Sequence, residues 1–215
     1  MNRRHFSATS ASLIGAALLP PLGAAWAQGA GPVEGKDFTR LEPPQPVREP
    51  GKIEVLEFFS YACPHCSAFE PTLDHWAHQL PPDVVLRRVP VPFLMNAENF
   101  QRTYYALESL GLVATVQQKM FRAIHIDRQR LEKPEDIAAF VGKNGGDEAK
   151  FLAAFKSFSV ATAVSRAKKA AADYKVESVP LLVVNGRFVT SPSMAGGATQ
   201  SLAVADQLIQ RSRAR

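Results

Sequence analysis

Residues 52–61, KIEVLEFFSY, form a short, nearly unbroken run of apolar and β-favouring side chains, with Glu54 and Glu57 as its acidic members. A run of this length and composition predicts a strand buried on both faces. Helical spacing follows, with apolar positions at Phe69, Leu73 and Trp76. Pro71 falls inside that helix and is expected to kink it, because it has no N–H to donate and its ring crowds the preceding turn. PPDVVLRRVPVPF (81–93) predicts a turn and a second strand. Strand, helix, strand over residues 52–93 is a βαβ unit, so its two strands should be parallel.

The pattern changes over residues 96–157. Apolar residues recur at helical intervals in ENFQRTYYALESLG, VATVQQKMFRAIH, PEDIAAFVGKNGG and DEAKFLAAFKS, separated by Gly111, Pro134 and Gly145-Gly146. This predicts an all-helical block. SVATAVSRAKKAAADYKV (159–176) predicts a further helix with Ala-rich faces. In VPLLVVNGRFVT two β-type runs flank Asn185-Gly186, the dipeptide best suited to a two-residue hairpin. TQSLAVADQLIQRSRAR closes the chain as an amphipathic helix with its basic residues at the end that the helix dipole favours. Residues 28–50 are rich in Gly and Pro, with Pro43, Pro44, Pro46 and Pro50, and read as a flexible lead-in with an extended segment near its end.

Residues 1–27 look like an export signal. Arg3 and Arg4 precede a mostly apolar or small stretch from Ala11 to Ala25, and Ala25-Trp26-Ala27 is an A-x-A cleavage pattern. The alternative is an uncleaved N-terminal anchor, which the brevity of the stretch and its break at Pro20-Pro21 disfavour. Arg3-Arg4-His5-Phe6 also fits the core of a twin-arginine signal, so Sec and Tat routes both stay open. The segment carries two arginines and no acids, so its removal lowers the formal charge from +5 to +3. Such a mild positive balance favours solubility, and no aromatic-plus-basic cluster suggests a nucleic-acid partner. No later apolar run reaches the roughly 18 residues of a membrane span. The mature chain is therefore expected in an oxidising compartment, as a protein that is not integral to the membrane.

The 215 residues contain two cysteines, Cys63 and Cys66, placed where the first strand gives way to the first helix. A structural bridge, half of a metal site and a redox centre are the possible readings. A bridge across so small a loop constrains the unfolded chain little. A zinc site needs about four ligands, and His75, His78 and His125 form no ligand pattern with the single CxxC; His75 and His78 fit an exposed helix face. The redox reading has a physical basis. Pro64 suits the first helical position, which makes Cys63 the N-cap. The free N–H groups and the dipole of the first turn then point at its sulfur and lower its pKa, and His65 beside it adds to the effect. Cys66, one turn on, should be more buried. A stabilised Cys63 thiolate favours the reduced protein, so the disulfide form oxidises other thiols.

At these residues the chain resembles the DsbA family of periplasmic thiol:disulfide oxidoreductases. VLEFFSYACPHC resembles the family's active-site strand and motif, and KAAADYKVESVPLLVVNGRFV resembles its second signature. The resemblance covers roughly residues 50–210. It implies an α/β fold, a thioredoxin fold with an all-helical domain inserted after the second strand: residues 51–95 and 158–215 form the thioredoxin-like domain and 96–157 the insertion. Cys63 matches the family's exposed nucleophile and Cys66 its buried partner, with Pro64 and His65 as the dipeptide that tunes the potential. Val179-Pro180 matches a cis-proline loop that pairs with extended substrate; the residues alone would equally suit a trans proline opening an edge strand. Glu57 matches a buried acid near the redox pair, although a strand position reaching solvent would also accommodate it. Glu70 matches another family acid, and an exposed helical glutamate suits it equally. Arg88 stands where the family usually has a lysine and is placed to pair with Glu57, but an arginine does not readily release a proton. Tyr61-Ala62 and Ser178-Val179 depart from the family's usual residues, so substrate preference does not carry over.

The resulting expectation is a monomeric periplasmic dithiol oxidase acting on reduced exported proteins, reoxidised by a DsbB-like membrane partner and needing no cofactor and no metal. A disulfide isomerase or reductase is one alternative, and a non-catalytic chaperone or metal carrier on the same scaffold is the other.

Overall fold

The computed structural model describes residues 31–214, and the export signal read at 1–27 lies outside the described residues. Five strands form one mixed sheet: β1 (Thr39–Arg40), β2 (Ile53–Phe59), β3 (Val84–Pro90), β4 (Leu181–Val184) and β5 (Phe188–Thr190), in the spatial order β1-β5-β4-β2-β3. β2 lies at the sheet's interior and is buried along its whole length. It pairs in parallel with β3, Glu57 opposite Arg88, and antiparallel with β4, Glu57 opposite Leu182. The parallel pair is the βαβ unit that the sequence predicts, with helix α1 (Pro64–Ala77) as its crossover. α1 continues without interruption through Pro71.

Side chains alternate across the sheet, and each face has its own core. Val55, Leu182, Val184 and Phe188 pack against α1, through Phe69, Leu73 and Trp76, and against α8 (Ala198–Arg213), through Leu202, Leu208 and Ile209. Leu56, Phe58, Val89 and Val183 face the other way, onto the helical residues between β3 and β4. Those helices are α2 (Ala97–Ser109), α3 (Val113–His125), α4 (Pro134–Lys143), α5 (Glu148–Lys156) and α6 (Phe158–Asp173). Their starts follow local rules: Asp147 and Ser157 cap α5 and α6 through their side chains, and Pro134 opens α4. An aromatic cluster joins the block to the end of β2, where Phe59 meets Tyr61, Tyr104 and Phe121 edge-on with ring centres 5.3–6.1 Å apart. Among the described residues no helix is long and apolar enough to cross a membrane.

Asn185 and Gly186 turn β4 into β5 with positive φ at both positions (51° and 63°), as a two-residue hairpin requires. Gly186 has a second reason to be glycine, since a Cβ there would collide with the carbonyl of Gln45. That contact corrects the reading of residues 28–50 as a flexible lead-in. Within the described part of this segment, Phe38 is fully buried edge-on to Phe188, and Thr39–Arg40 form β1 on the free edge of β5. Leu41 and Gln45 donate backbone hydrogen bonds to Arg187 and Gly186. The exposed edge of β5 offers unpaired backbone groups, and the residues ahead of the prolines satisfy them. A four-residue helix, α7 (Pro192–Ala195), capped by Ser191, follows β5 and is absent from the sequence reading.

Candidate functional site

Cys63 is the N-cap of α1, in extended conformation, and Pro64 follows at the first helical position. The Cys63 sulfur accepts a hydrogen bond from the backbone N–H of Cys66 at 3.2 Å. Both cysteines are free thiols. The Cys66 thiol hydrogen-bonds to the Cys63 sulfur, and the N–H groups of Cys66 and His65 and the charge of His65 act in the same direction. Together they outweigh burial and lower the Cys63 pKa from 9.0 to about 6. Pro64 and His65 are exposed at the tip. Cys66 is fully buried, and burial, the neighbouring Cys63 sulfur and the charge of Glu57 push its thiol far up. One sulfur is therefore an anion at neutral pH while its partner holds its proton.

The Val179-Pro180 bond is cis, and Pro180 is buried against the site. The carbonyl oxygen of Val179 lies 3.5 Å from the Cys63 sulfur, which donates to it as a thiol. Two segments 116 residues apart in sequence thus meet at the reactive sulfur.

A charged cluster lies behind the cysteines. Glu57 on β2 has no exposed surface, and its Oε2 accepts from Arg88 Nε at 3.1 Å. Arg88 also donates through Nη2 to Glu70 on α1, at 2.8 Å, and reaches toward Asp74 at 3.8 Å. Glu70 is as buried as the apolar residues around it, so of its two sequence readings the buried acid is the one found. One guanidinium thus faces two buried carboxylates, and Oε1 of Glu57 and Oε2 of Glu70 have no hydrogen-bond partner among the described residues. Burial raises Glu57 from 4.5 to about 7 and, with the charge of Glu57 adding to it, Glu70 to about 8; Arg88 opposes both shifts. The cluster opens to a cleft of about 490 Å³ lined by Glu70, Asp74, Arg88 and Gln117.

Four residues, Tyr61, Gln117, His125 and Asp74, have roles at the site that the sequence reading did not assign. The Tyr61 hydroxyl donates to Gln117 Oε1 at 2.5 Å inside the protein. Nε2 of His125, at the end of α3, donates to the Tyr61 carbonyl at 2.8 Å and so ties the helical block to the loop before Cys63. Asp74 forms the solvent end of the charged cluster. His75 and His78 are exposed, and His78 stands beside Asp74, its Nδ1 2.7 Å from the Asp74 carbonyl.

The model of the DSBA-like thioredoxin domain matches residues 54–208. The chain belongs to the DsbA-like thioredoxin family. Its similarity to curated members extends across most of both chains. It is 42% identical over 182 residues to the thiol:disulfide interchange protein DsbA of Pseudomonas aeruginosa, covering 84% of this chain and 85% of that one. It is 42% identical over 205 residues to the protein of the same name from Bordetella parapertussis, covering 95% and 94%. The crystal structure of Pseudomonas aeruginosa DsbA superposes with a TM-score of 0.81 at 41% identity, over 85% of this chain and 95% of that one. DsbA from Xylella fastidiosa superposes at 0.79 with 31% identity, over 86% and 99%. This DsbA-like chain therefore has a thioredoxin fold carrying a helical insertion, and its cysteines sit at the strand-to-helix junction on which the family resemblance rests.

Proposed function

We propose that the protein is a thiol:disulfide oxidoreductase that donates a Cys63–Cys66 disulfide to reduced exported proteins in the periplasm. The observation that carries this reading is the placement of the Cys63 sulfur at the start of α1, where it accepts the Cys66 N–H at 3.2 Å and its pKa is lowered, beside a fully buried Cys66 that keeps its proton. The reaction follows from that asymmetry. A substrate thiolate attacks the Cys63 sulfur of the disulfide, an S–S bond forms between them, and the Cys63–Cys66 bond breaks. Cys66 leaves as a thiolate and takes up a proton, for which Glu57, buried behind the cysteines with its pKa near neutrality, is a suitable donor. A second substrate thiolate attacks the substrate's own sulfur in the mixed disulfide. Cys63 is expelled as a stabilised thiolate, which makes it a good leaving group. The substrate loses two electrons and the protein gains them.

Val179-Pro180 is the place where an extended substrate segment would lie across the site, since a Val179 backbone group already reaches the reactive sulfur. Arg88 orients and balances the two acids and does not itself carry the proton. A DsbB-like membrane oxidase fits as the reoxidant, and a monomer as the working state; both extend from the family relationship. Equilibration with a glutathione redox buffer tests the whole reading: the disulfide should be easier to reduce than glutathione disulfide. A protein harder to reduce than glutathione disulfide overturns it and favours the reductase alternative.

A further inference from the structure

The two chain neighbours of Cys63 each line a hollow. Pro64 lines a cleft of about 600 Å³ between α1 and α3, and Ala62 lines a smaller one of about 220 Å³. Arg128 lines both, at the turn after α3, with φ 57°. The larger cleft has apolar walls, from Pro64, Ala68 and Pro71 on α1 and Phe121 on α3. Ile126 stands at its mouth with 66% of its surface exposed. Its charged residues are unbalanced. Lys119, Arg122 and Arg128 are exposed around it, and the acid among its lining residues, Glu70, is buried and held by Arg88. Asp127 offsets Arg122 at 3.6 Å, but both are well exposed and such a pair is weak.

A large exposed apolar side chain beside a reactive cysteine, inside a cationic rim, describes a subsite with a definite preference. We propose that the α1–α3 cleft binds an apolar side chain flanked by acidic residues, on the reduced polypeptide whose cysteine attacks Cys63. The inference rests on the oxidase reading above and adds to it a substrate class. The volume suits one or two side chains of a polypeptide lying along the surface. The cations act on the encounter and on the bound segment rather than on the sulfur exchange.

The test uses the oxidised mature protein and three peptides, each with one cysteine and one leucine, flanked by aspartates, asparagines or lysines. The rate of mixed-disulfide formation is followed by acid quenching and mass spectrometry. Each rate is divided by that peptide's rate with the uncharged disulfide of 2-mercaptoethanol, which removes the effect of the flanking charges on the peptide's own thiol without adding a charge of its own. At low salt the acidic peptide should react at least about fivefold faster than the basic one, and the ratio should collapse toward one as salt shortens the range of the charges. Lys119→Glu with Arg122→Glu should invert the ratio, whereas Lys52→Glu, an equal charge change per site at the end of β2 opposite Cys63, should preserve it. A ratio within twofold of one in the unaltered protein, or a ratio that survives the double substitution, overturns the proposal alone. A protein that reacts with none of the peptides overturns the oxidase reading, and this proposal with it.

Discussion

Cys63 and Cys66 are three residues apart on one helix, yet they stand in opposite surroundings. Around Cys63 the first turn of α1 gathers donors: the N–H groups of Cys66 and His65, the Cys66 thiol and the His65 ring. Around Cys66 there is no exposed surface, and the charges acting on it, the Cys63 thiolate and the carboxylate of Glu57, are both negative. The comparison teaches that a low thiol pKa here comes from the donors around one sulfur, the Cys66 thiol first and the N–H groups of the helix start after it, since an identical side chain one turn later is pushed the other way. It also divides the labour of exchange, with one sulfur suited to attack and departure and the other to holding a proton.

The sharpest way to break the comparison is to remove one sulfur at a time. Cys63→Ser should lower oxidation of a reduced peptide by on the order of a thousandfold or more, because no other group can form the mixed disulfide. Cys66→Ser should abolish turnover differently: its Cys63 thiolate can still attack a disulfide already present in a substrate, expelling one substrate sulfur as a thiolate, and without Cys66 to release it the Cys63–substrate mixed disulfide should accumulate and be visible by non-reducing electrophoresis. A Cys63→Ser protein that retained activity would point to the chaperone alternative.

The next test concerns the far side of Cys66. Arg88 supplies the buried positive charge for Glu57 and Glu70. Arg88→Leu should destabilise the fold by about 3–5 kcal/mol when both acids are ionised, since an uncompensated buried charge is costly. The sign of the pH dependence follows from the raised acids. A carboxyl that holds its proton more tightly when folded than when unfolded loses stability as pH rises from 4.5 toward its folded value, about 7 for Glu57 and about 8 for Glu70. The defect should therefore be greatest above pH 8 and shrink in mildly acidic buffer, where the acids can be neutral. Urea unfolding at several pH values measures it, and Arg88→Lys should be markedly milder.

Sequence pattern made much of this visible, for reasons tied to particular residues. β2 reads as a strand because its run is short, apolar and followed at once by helical spacing. Cys63 reads as an N-cap because Pro64 suits only the first turn, and Asn185-Gly186 reads as a hairpin because its backbone conformation is restricted. All of these are local rules. β1 escaped because two residues beside a cluster of prolines carry no period, and their strand exists only through the free edge of β5. The burial of Glu70 had a local signal: it falls on the same stripe as Cys66, Phe69, Leu73 and Trp76. The bond from Tyr61 to Gln117 spans 56 residues, and no local rule reaches that far.

A smaller effect separates the reduced and oxidised proteins. In the reduced chain the Cys63 pKa falls from 9.0 unfolded to about 6 folded. A lowered acid stabilises the fold fully above its unfolded value, and that contribution is lost as pH drops toward the folded one. Cys66 shifts upward and stays protonated across this range. The disulfide form has neither thiol to titrate. The stability of the reduced protein relative to the oxidised one should therefore rise between pH 6 and pH 9 and flatten below. Paired denaturation curves across that range check this, and a difference independent of pH would remove the electrostatic basis for the oxidase reading.

The finest probe is Glu57→Gln, because Glu57 couples the two halves of the site. The ionised carboxylate and the Cys63 thiolate disfavour one another, and Glu57 also raises Cys66. Replacing it should shift the Cys63 thiolate midpoint, followed by ultraviolet absorbance, downward by less than about one pH unit, or roughly 1 kcal/mol between its protonation states. Arg88 would keep Glu70 as a one-to-one partner, so the decline in stability between pH 5 and pH 8 should become shallower. The amide cannot hold or release the proton that Cys66 needs on departure. Release of Cys66 should then slow and lose its dependence on pH near neutrality, whereas a purely structural Glu57 would leave that profile in place. A midpoint that moved upward would mean that Glu57 favours the thiolate, as a protonated carboxyl donor would, and would overturn the repulsion assigned to it.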